Sequence, residues 1–257
     1  MAELEQNHSK KERARGIYLL PNLCTTIALF FGFYAIVAAL KGSYEEASIA
    51  IFIAMVWDGL DGRVARMTNT QTAFGAEYDS LSDMVAFAVA PSLTVYSWSL
   101  NTLGKVGWLV AFVYTAATAL RLARFNTQAH DADKGYFQGL ACPSAAAVIA
   151  GMVWCASYYK ISGMYIAIPA AIVMVCAAAL MVSRVRYYSF KSIDFKGRVS
   201  FMMMVVLVFV IAAVAIDPPQ ILFAVSLIYA ASGPVMTLWQ LRQVRRSRTL
   251  PPLKKGG

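Results

Sequence analysis

Eight apolar segments, each long enough to cross a lipid bilayer, constrain the fold of this chain more than any other feature. A helix needs about 20 residues to cross the hydrocarbon core. The chain is 59% hydrophobic and only 14% charged, which is the composition of a polytopic membrane protein and not of a soluble domain. We therefore predict an all-α bundle of about eight transmembrane helices, at residues 17–40, 45–62, 80–100, 104–125, 138–159, 163–183, 199–217 and 219–241.

The basic residues divide unevenly between the two sides of this predicted bundle. Of the 23 Lys and Arg residues, all except Lys41, Lys105 and Lys160 fall on the side that carries both termini. The positive-inside rule places that side in the cytoplasm and predicts a multi-pass protein of the cytoplasmic membrane. The net charge of +9 then reflects topology and attraction to anionic lipid headgroups, and indicates no nucleic-acid partner. We divide the chain into a basic cytoplasmic segment, a transmembrane domain and a basic cytoplasmic tail, at 1–16, 17–241 and 242–257.

Acidic residues are concentrated where the second predicted helix ends and the third begins. Five of the 14 carboxylates lie there: Asp58, Asp61, Glu77, Asp79 and Asp83. Asp58 and Asp61 are three residues apart, and Asp79 and Asp83 are four apart, so each pair occupies one helix face. Because the two helices are consecutive and antiparallel, we expect both pairs to face each other near the cytoplasmic end of the bundle.

Four aspartates at this depth are costly, and the cost favours a functional interpretation. An Asp at the centre of a spanning helix costs roughly 2.5–3.5 kcal/mol on insertion scales. A structural ion-pair network with Arg63 and Arg66 is the alternative, but two arginines cannot balance four clustered aspartates. Carboxylates are the ligands of hard divalent cations, and Mg²⁺ commonly shares them with substrate phosphates. We predict a site for Mg²⁺ or Mn²⁺, with two ions acting as a clamp for displacement at phosphorus.

Small residues and one arginine accompany the aspartates. Gly62, Ala65 and Gly75 leave helix surface without bulky side chains, where a ligand can approach the backbone. Packing between membrane helices also uses small residues, so each of the three alone is explained by packing. Arg66 adds a permanent cation beside the expected phosphate position.

The stretch DGLDGRVARMTNTQTAFGAEYDSLSD resembles, without a gap, the signature D-x2-D-G-x2-A-R-x8-G-x3-D-x3-D of the CDP-alcohol phosphotransferases. Other segments are similar to the branch of that family that makes phosphatidylserine from CDP-diacylglycerol: LPNLCTT, ALRLARFN, GYFQGLACPSAAA and LMVSRVRYYSFK. One departure is Ala141, where that branch commonly has Pro. The eight fixed positions of the signature are Asp58, Asp61, Gly62, Ala65, Arg66, Gly75, Asp79 and Asp83.

The resemblance implies roles for these residues and substrates for the protein. Asp58, Asp61 and Asp79 would hold the metals, and Asp83 would contribute to the second ion and act as general base. The CDP-lipid site would be lined by Asn22, Gly62, Ala65, Arg66 and Gly75. The expected reaction joins CDP-diacylglycerol and L-serine into phosphatidylserine and CMP, and the family implies a homodimer.

A second polar group is expected to bind the acceptor alcohol. Arg121 and Arg124 are one turn apart at the end of the fourth predicted span, and Asn126 follows them. Ordinary snorkelling and topology explain such arginines by position alone, but the resemblance favours a role in the acceptor pocket, with Arg186 as a weaker candidate. Two alternatives stay open: another acceptor, such as glycerol 3-phosphate or an inositol phosphate, or a cation transporter that uses the aspartates as a transit site.

Overall fold

A computed structural model shows a bundle of α-helices. It describes residues 2–68, 70–128, 136–183, 185–188 and 214–249, with the single residues 205, 208 and 212. The first five helices are α1 (Ala2–Leu40), α2 (Tyr44–Met67), α3 (Ala73–Asp83), α4 (Ala90–Trp98) and α5 (Lys105–Gln128). The remaining described helices are α6 (Cys142–Tyr158), α7 (Ala167–Val182) and α8 (Pro218–Thr249).

The predicted helical architecture is confirmed, whereas the count of eight spans is only partly supported. Among the described residues, four helical segments are long and apolar enough to cross a membrane: Leu19–Leu40, Lys105–Thr127, Gly163–Val182 and Pro218–Thr237. The helix α6 is apolar but shorter, α2 ends in the charged residues of the signature, and a π-helical turn at Met84–Val89 separates α3 from α4. The seventh predicted span, 199–217, lies largely outside the described residues.

A short two-stranded ladder was absent from the prediction. Strand β1 (Tyr136–Gln138) pairs antiparallel with β2 (Arg186–Tyr188). The predicted start of the fifth span at residue 138 is therefore wrong, and α6 begins at Cys142. The physical reason is local: Gly139 has a φ of +80°, which does not continue a right-handed helix, and Pro143 suits the first turn of α6.

The hydrogen bonds of the loops place the three outlying lysines at one end of the bundle. Ser97 Oγ donates to the carbonyl of Ala39 at 3.0 Å, and Ser99 Oγ donates to the carbonyl of Gly163 at 2.6 Å. These contacts join the segments next to Lys41, Lys105 and Lys160. Asp58 and Asp61 lie in the half of α2 away from Lys41, and Asp79 lies in α3, which the π-helical turn and α4 separate from Lys105.

The π-helical turn packs closely against α1. A Cβ added to Gly32 would lie 2.7 Å from the Cα of Ala86, so the glycine permits this approach. Ala86, Phe87 and Ala88 in the turn are completely buried. The turn directly follows Asp83, and its packing against α1 holds the end of α3 that carries Asp79 and Asp83. Turns of this kind occur often at functional sites.

Candidate active site

Three carboxylates meet where α2 and α3 approach each other. The closest carboxylate oxygens of Asp58, Asp61 and Asp79 all lie within 4.8 Å of one another. Asp61 is buried, with 6% of its surface exposed, and the other two are half-buried. We call these three residues the aspartate cluster. Three like charges at this separation repel each other strongly in a low-dielectric surrounding, and a bound cation would offset that repulsion.

Asp83 lies beside the aspartate cluster and is not part of its closest group. Its carboxyl group is in hydrogen-bonding contact with that of Asp58, and its charge interacts with the guanidinium of Arg121. Asp83 thus connects the aspartate cluster to α5. Its position, one helical turn beyond Asp79, agrees with the expectation that both side chains share one face of the helix.

The hydroxyl of Thr25 was missed by the sequence reasoning. Thr25 Oγ1 donates to Asp61 Oδ2 at 2.7 Å, and both residues are buried. The same oxygen lies 3.1 Å from the carbonyl of Pro21, within its own helix. The sequence signal was present in LPNLCTT, where only Asn22 was singled out. A hydroxyl that fixes the orientation of a ligating carboxylate is a common outer partner of metal sites.

The donor atoms of the aspartate cluster fit a divalent cation. Asp79 Oδ1 is buried and has no hydrogen-bond partner among the described residues, and an unpaired buried carboxylate oxygen is costly. The three side chains together offer only oxygen acceptors, the ligand type that Mg²⁺ and Mn²⁺ prefer. Asp58, Asp61 and Asp79 are therefore the residues that would hold a cation, with Asp83 next to them.

The two arginines of the signature do not neutralise the aspartates. Arg63 and Arg66 are both exposed. Within the part of the chain that the structure describes, neither forms an ion pair with Asp58, Asp61 or Asp79. The alternative of a purely structural ion-pair network at this site therefore has no contact that supports it.

The small residues of the signature leave open space along α2. A Cβ added to Gly62 would meet no atom within 4 Å, and Ala65 is half-buried. Gly75 faces α1 more closely, because an added Cβ would lie 3.4 Å from Asn22 Oδ1. The backbone N–H of Gly75 donates to Thr72 Oγ1 at 3.0 Å and so caps the start of α3. Asn22 and Gly75 are thus neighbours.

The acceptor candidates differ in their surroundings. Arg121 Nη1 donates to Cys142 Sγ at 3.0 Å, and Arg124 donates to the side chain of Gln138. Asn126 Nδ2 donates to Ser80 Oγ at 3.0 Å, which ties α5 to α3. Arg186 lies in β2, paired with Gln138 across the ladder, and its side chain is outside the described residues. The structure therefore brings Arg121 within electrostatic range of Asp83 and connects Arg124 and Arg186 through Gln138.

The fold and the site together define a helical membrane protein with a partly buried carboxylate cluster. The chain belongs to the CDP-alcohol phosphatidyltransferase family, whose sequence model matches residues 18–185. This match contains the whole signature segment, α1 from residue 18 onward and the helices α2 to α7, and it ends just before β2.

Individual relatives are similar over most or half of the chain. A CDP-diacylglycerol–serine O-phosphatidyltransferase from Helicobacter pylori is 35% identical over 192 residues, which cover 74% of this chain and 81% of the relative. An archaetidylserine synthase from Methanothermobacter thermautotrophicus is 33% identical over 170 residues, covering 65% and 69%. A CDP-diacylglycerol–serine O-phosphatidyltransferase from Saccharomyces cerevisiae is 37% identical over 140 residues, covering 49% and 50%. Serine appears in the name of each of these three relatives.

Proposed function

We propose that this protein transfers the phosphatidyl group of CDP-diacylglycerol to the hydroxyl of L-serine, giving phosphatidylserine and CMP. The observation that carries the proposal is the aspartate cluster, in which three carboxylates from the family signature converge within 4.8 Å. The family match and the relatives named for serine support the choice of reaction and acceptor. The cation transporter of the sequence analysis has no comparable support.

The aspartate cluster holds the divalent cations of the reaction in this proposal. Asp58, Asp61 and Asp79 are the ligands, and Asp83 contributes to a second site. The ions are Mg²⁺ or Mn²⁺, and the family is generally dependent on divalent metals. When bound, such ions neutralise the diphosphate of the CDP-lipid and stabilise the departing CMP. The open backbone at Gly62 and Ala65, with Arg66, Gly75 and Asn22, accommodates the CDP group.

Asp83 acts as the general base. The serine hydroxyl loses its proton to Asp83 while its oxygen forms a bond to the phosphorus of the phosphatidyl group. The bond from that phosphorus to the CMP oxygen breaks, and CMP leaves with the electron pair. The interaction of Asp83 with Asp58 keeps the base beside the aspartate cluster, and Arg121 is close enough for its charge to act on Asp83.

The transfer is direct and passes through no covalent phosphatidyl-enzyme. Ser80 and Ser82 flank Asp79 and Asp83 but are engaged elsewhere: Ser80 Oγ donates to the carbonyl of Ala76 at 3.0 Å, and Ser82 Oγ donates to that of Thr25 at 3.2 Å. An activated serine nucleophile needs an adjacent base that orients it, and neither hydroxyl has that arrangement. Inversion at phosphorus follows from a single displacement.

The proposal includes the membrane arrangement. The chain crosses the cytoplasmic membrane eight times with both termini in the cytoplasm, so that the aspartate cluster faces the compartment that supplies serine. Basic residues on that side agree with this orientation. The protein acts as a homodimer embedded in membrane lipid, as its family implies.

An acceptor panel tests the proposed function. Purified protein in detergent receives CDP-diacylglycerol and Mg²⁺ or Mn²⁺ with L-serine, glycerol 3-phosphate, inositol phosphate or no acceptor, and CMP and lipid products are measured. We expect CMP release to require serine and to match phosphatidylserine formation. Faster turnover with a phosphorylated acceptor would show that the acceptor is not serine, although the transfer reaction would be the same. No CMP release with any acceptor would contradict the proposed transferase activity.

A further inference from the structure

Arg121 has a buried hydrogen-bond donor that the described residues leave unpaired. Its Nη1 contacts Cys142 Sγ at 3.0 Å, and its charge interacts with Asp83. Its Nε is buried and has no hydrogen-bond partner among the described residues. A buried guanidinium donor without a partner is costly, and a ligand that accepts its hydrogen bond removes that cost.

The other described acceptor candidates already have side-chain partners. Arg124 contacts Gln138, and Asn126 contacts Ser80. A guanidinium binds a carboxylate best through two parallel N–H donors, for which Nε and the neighbouring Nη2 form one edge. The contact with Cys142 uses the other nitrogen, Nη1, and therefore leaves this edge for a ligand.

Cys142 holds Arg121 from a rigid position. Its side chain is completely buried, and it is the first residue of α6. The two residues before Ala141 are fixed by backbone hydrogen bonds, from Gly139 to Val185 at 2.8 Å and from Leu140 to Leu180 at 3.1 Å. The thiol is a weak hydrogen-bond acceptor, but the backbone hydrogen bonds just before it hold its sulfur atom in one position.

We propose that Cys142 is a positioning residue, which orients Arg121 so that the free edge of its guanidinium binds the carboxylate of the acceptor alcohol. The inference rests on the proposed function, because it concerns the same acceptor. The carboxylate of serine is joined to its hydroxyl by a short carbon chain, so a cation beside the base Asp83 is well placed to bind it. The contact between Arg121 and Cys142 thereby favours acceptors that carry a carboxylate.

The test compares serine with serinol, in which a second hydroxymethyl group replaces the carboxylate. The measured quantity is the ratio of kcat/KM for serine to kcat/KM for serinol, which does not depend on the folded fraction of a preparation. We expect Cys142→Ala to lower this ratio about fivefold to tenfold, mainly through a higher KM for serine, because the guanidinium loses its support. Cys142→Ser keeps an acceptor atom at the same place and should keep the ratio within about twofold of the original.

Two further variants separate positioning from a general effect on the fold. Cys176→Ala, in an exposed part of α7, serves as the control and should leave the ratio unchanged. In protein that already carries Arg121→Lys, adding Cys142→Ala should lower the ratio no further, because both changes act on one contact.

Several results would overturn the inference. These are an unchanged ratio in Cys142→Ala, equal losses for serine and serinol, a ratio as low in Cys142→Ser as in Cys142→Ala, or additive effects of the Arg121 and Cys142 changes. Failure of the proposed function is distinguishable, because then the unmodified protein itself would not use serine.

Discussion

At the scale of single residues, the proposed base, Asp83, lies beside the three carboxylates that are closest to one another. Asp83 lies next to the aspartate cluster, in contact with Asp58, while its charge faces Arg121. We expect Asp83→Asn to lower kcat by at least about a hundredfold, the contribution of a general base, and to weaken CDP-diacylglycerol binding by less than about tenfold. Turnover and binding of a non-reactive CDP-lipid analogue measure the two effects. If the variant retains kcat and loses only lipid binding, Asp83 is not the general base.

Thr25 acts one step further out, through Asp61. Replacing Thr25 by Val removes the hydrogen bond at 2.7 Å to Asp61 Oδ2 at almost constant volume. Outer partners of metal ligands typically change metal affinity by 10–100-fold, so we expect about a tenfold higher Mg²⁺ concentration for half-maximal turnover. A titration of activity with Mg²⁺ measures this.

The matched control for Thr25 is Thr94→Val. Thr94 is also buried, but its Oγ1 donates to the carbonyl of Ala90 at 2.7 Å, inside its own helix. This control should leave the Mg²⁺ requirement unchanged. Equal requirements in the Thr25 variant and the unmodified protein would show that the hydroxyl does not support Asp61.

At the scale of secondary-structure elements, the approach of α1 to the π-helical turn fixes the site. We expect Gly32→Ala to lower the stability of the protein by about 1–3 kcal/mol, because the new methyl group would lie 2.7 Å from the Cα of Ala86. Backbone on both sides must move, and Asp83 is displaced with the turn. Thermal unfolding in detergent measures the loss.

Gly59→Ala is the control at this scale. Nothing lies within 4 Å of the added Cβ, and Ala favours the middle of a helix by up to about 1 kcal/mol over Gly. This variant should therefore unfold at the same or a higher temperature. If both variants unfolded at the same temperature as the original, the close approach of α1 and the turn would not matter for stability.

The elements also show what could be predicted from sequence. The length of the apolar runs was sufficient to predict two of the spans. The fourth predicted span, 104–125, corresponds within a few residues to α5, and the sixth, 163–183, to the candidate span Gly163–Val182. The spacing of the aspartates predicted that Asp58 and Asp61, and likewise Asp79 and Asp83, share one helix face, and the antiparallel order of the helices predicted that the two pairs face each other. These features depend on local periodicity and on the order of consecutive helices.

The ladder, the π-helical turn and the contacts of Thr25 and Cys142 could not be predicted in this way. Each depends on a partner far away in the chain. Thr25 contacts a residue 36 positions later, and Cys142 contacts one 21 positions earlier. The neighbours of Cys142 in sequence are apolar, and its polar partner lies on another helix, so the local sequence carries no sign of the contact.

At the scale of the whole molecule, the orientation in the membrane is open to direct measurement. In intact cells, a membrane-impermeant maleimide should label Lys105→Cys and should label Gln71→Cys only after permeabilisation, because the positive-inside rule places the segment after α2 in the cytoplasm. Labelling of the unmodified protein, with its own four cysteines, supplies the background. The reverse pattern would place the aspartate cluster on the outer side and contradict the proposed topology.

The central claim is that the aspartate cluster holds the cation on which turnover depends. The most direct test measures two quantities on purified protein. Mn²⁺ binding is measured as the loss of the free-ion signal in electron paramagnetic resonance, and turnover is measured as CMP release. The control is Glu77→Gln, which changes an exposed carboxylate on α3, the helix that carries Asp79. This variant and the unmodified protein should both bind Mn²⁺ and turn over. Asp58→Asn and Asp79→Asn should remain folded, lose tight Mn²⁺ binding and lose turnover. Substantial turnover or unchanged Mn²⁺ binding in either asparagine variant would contradict the account.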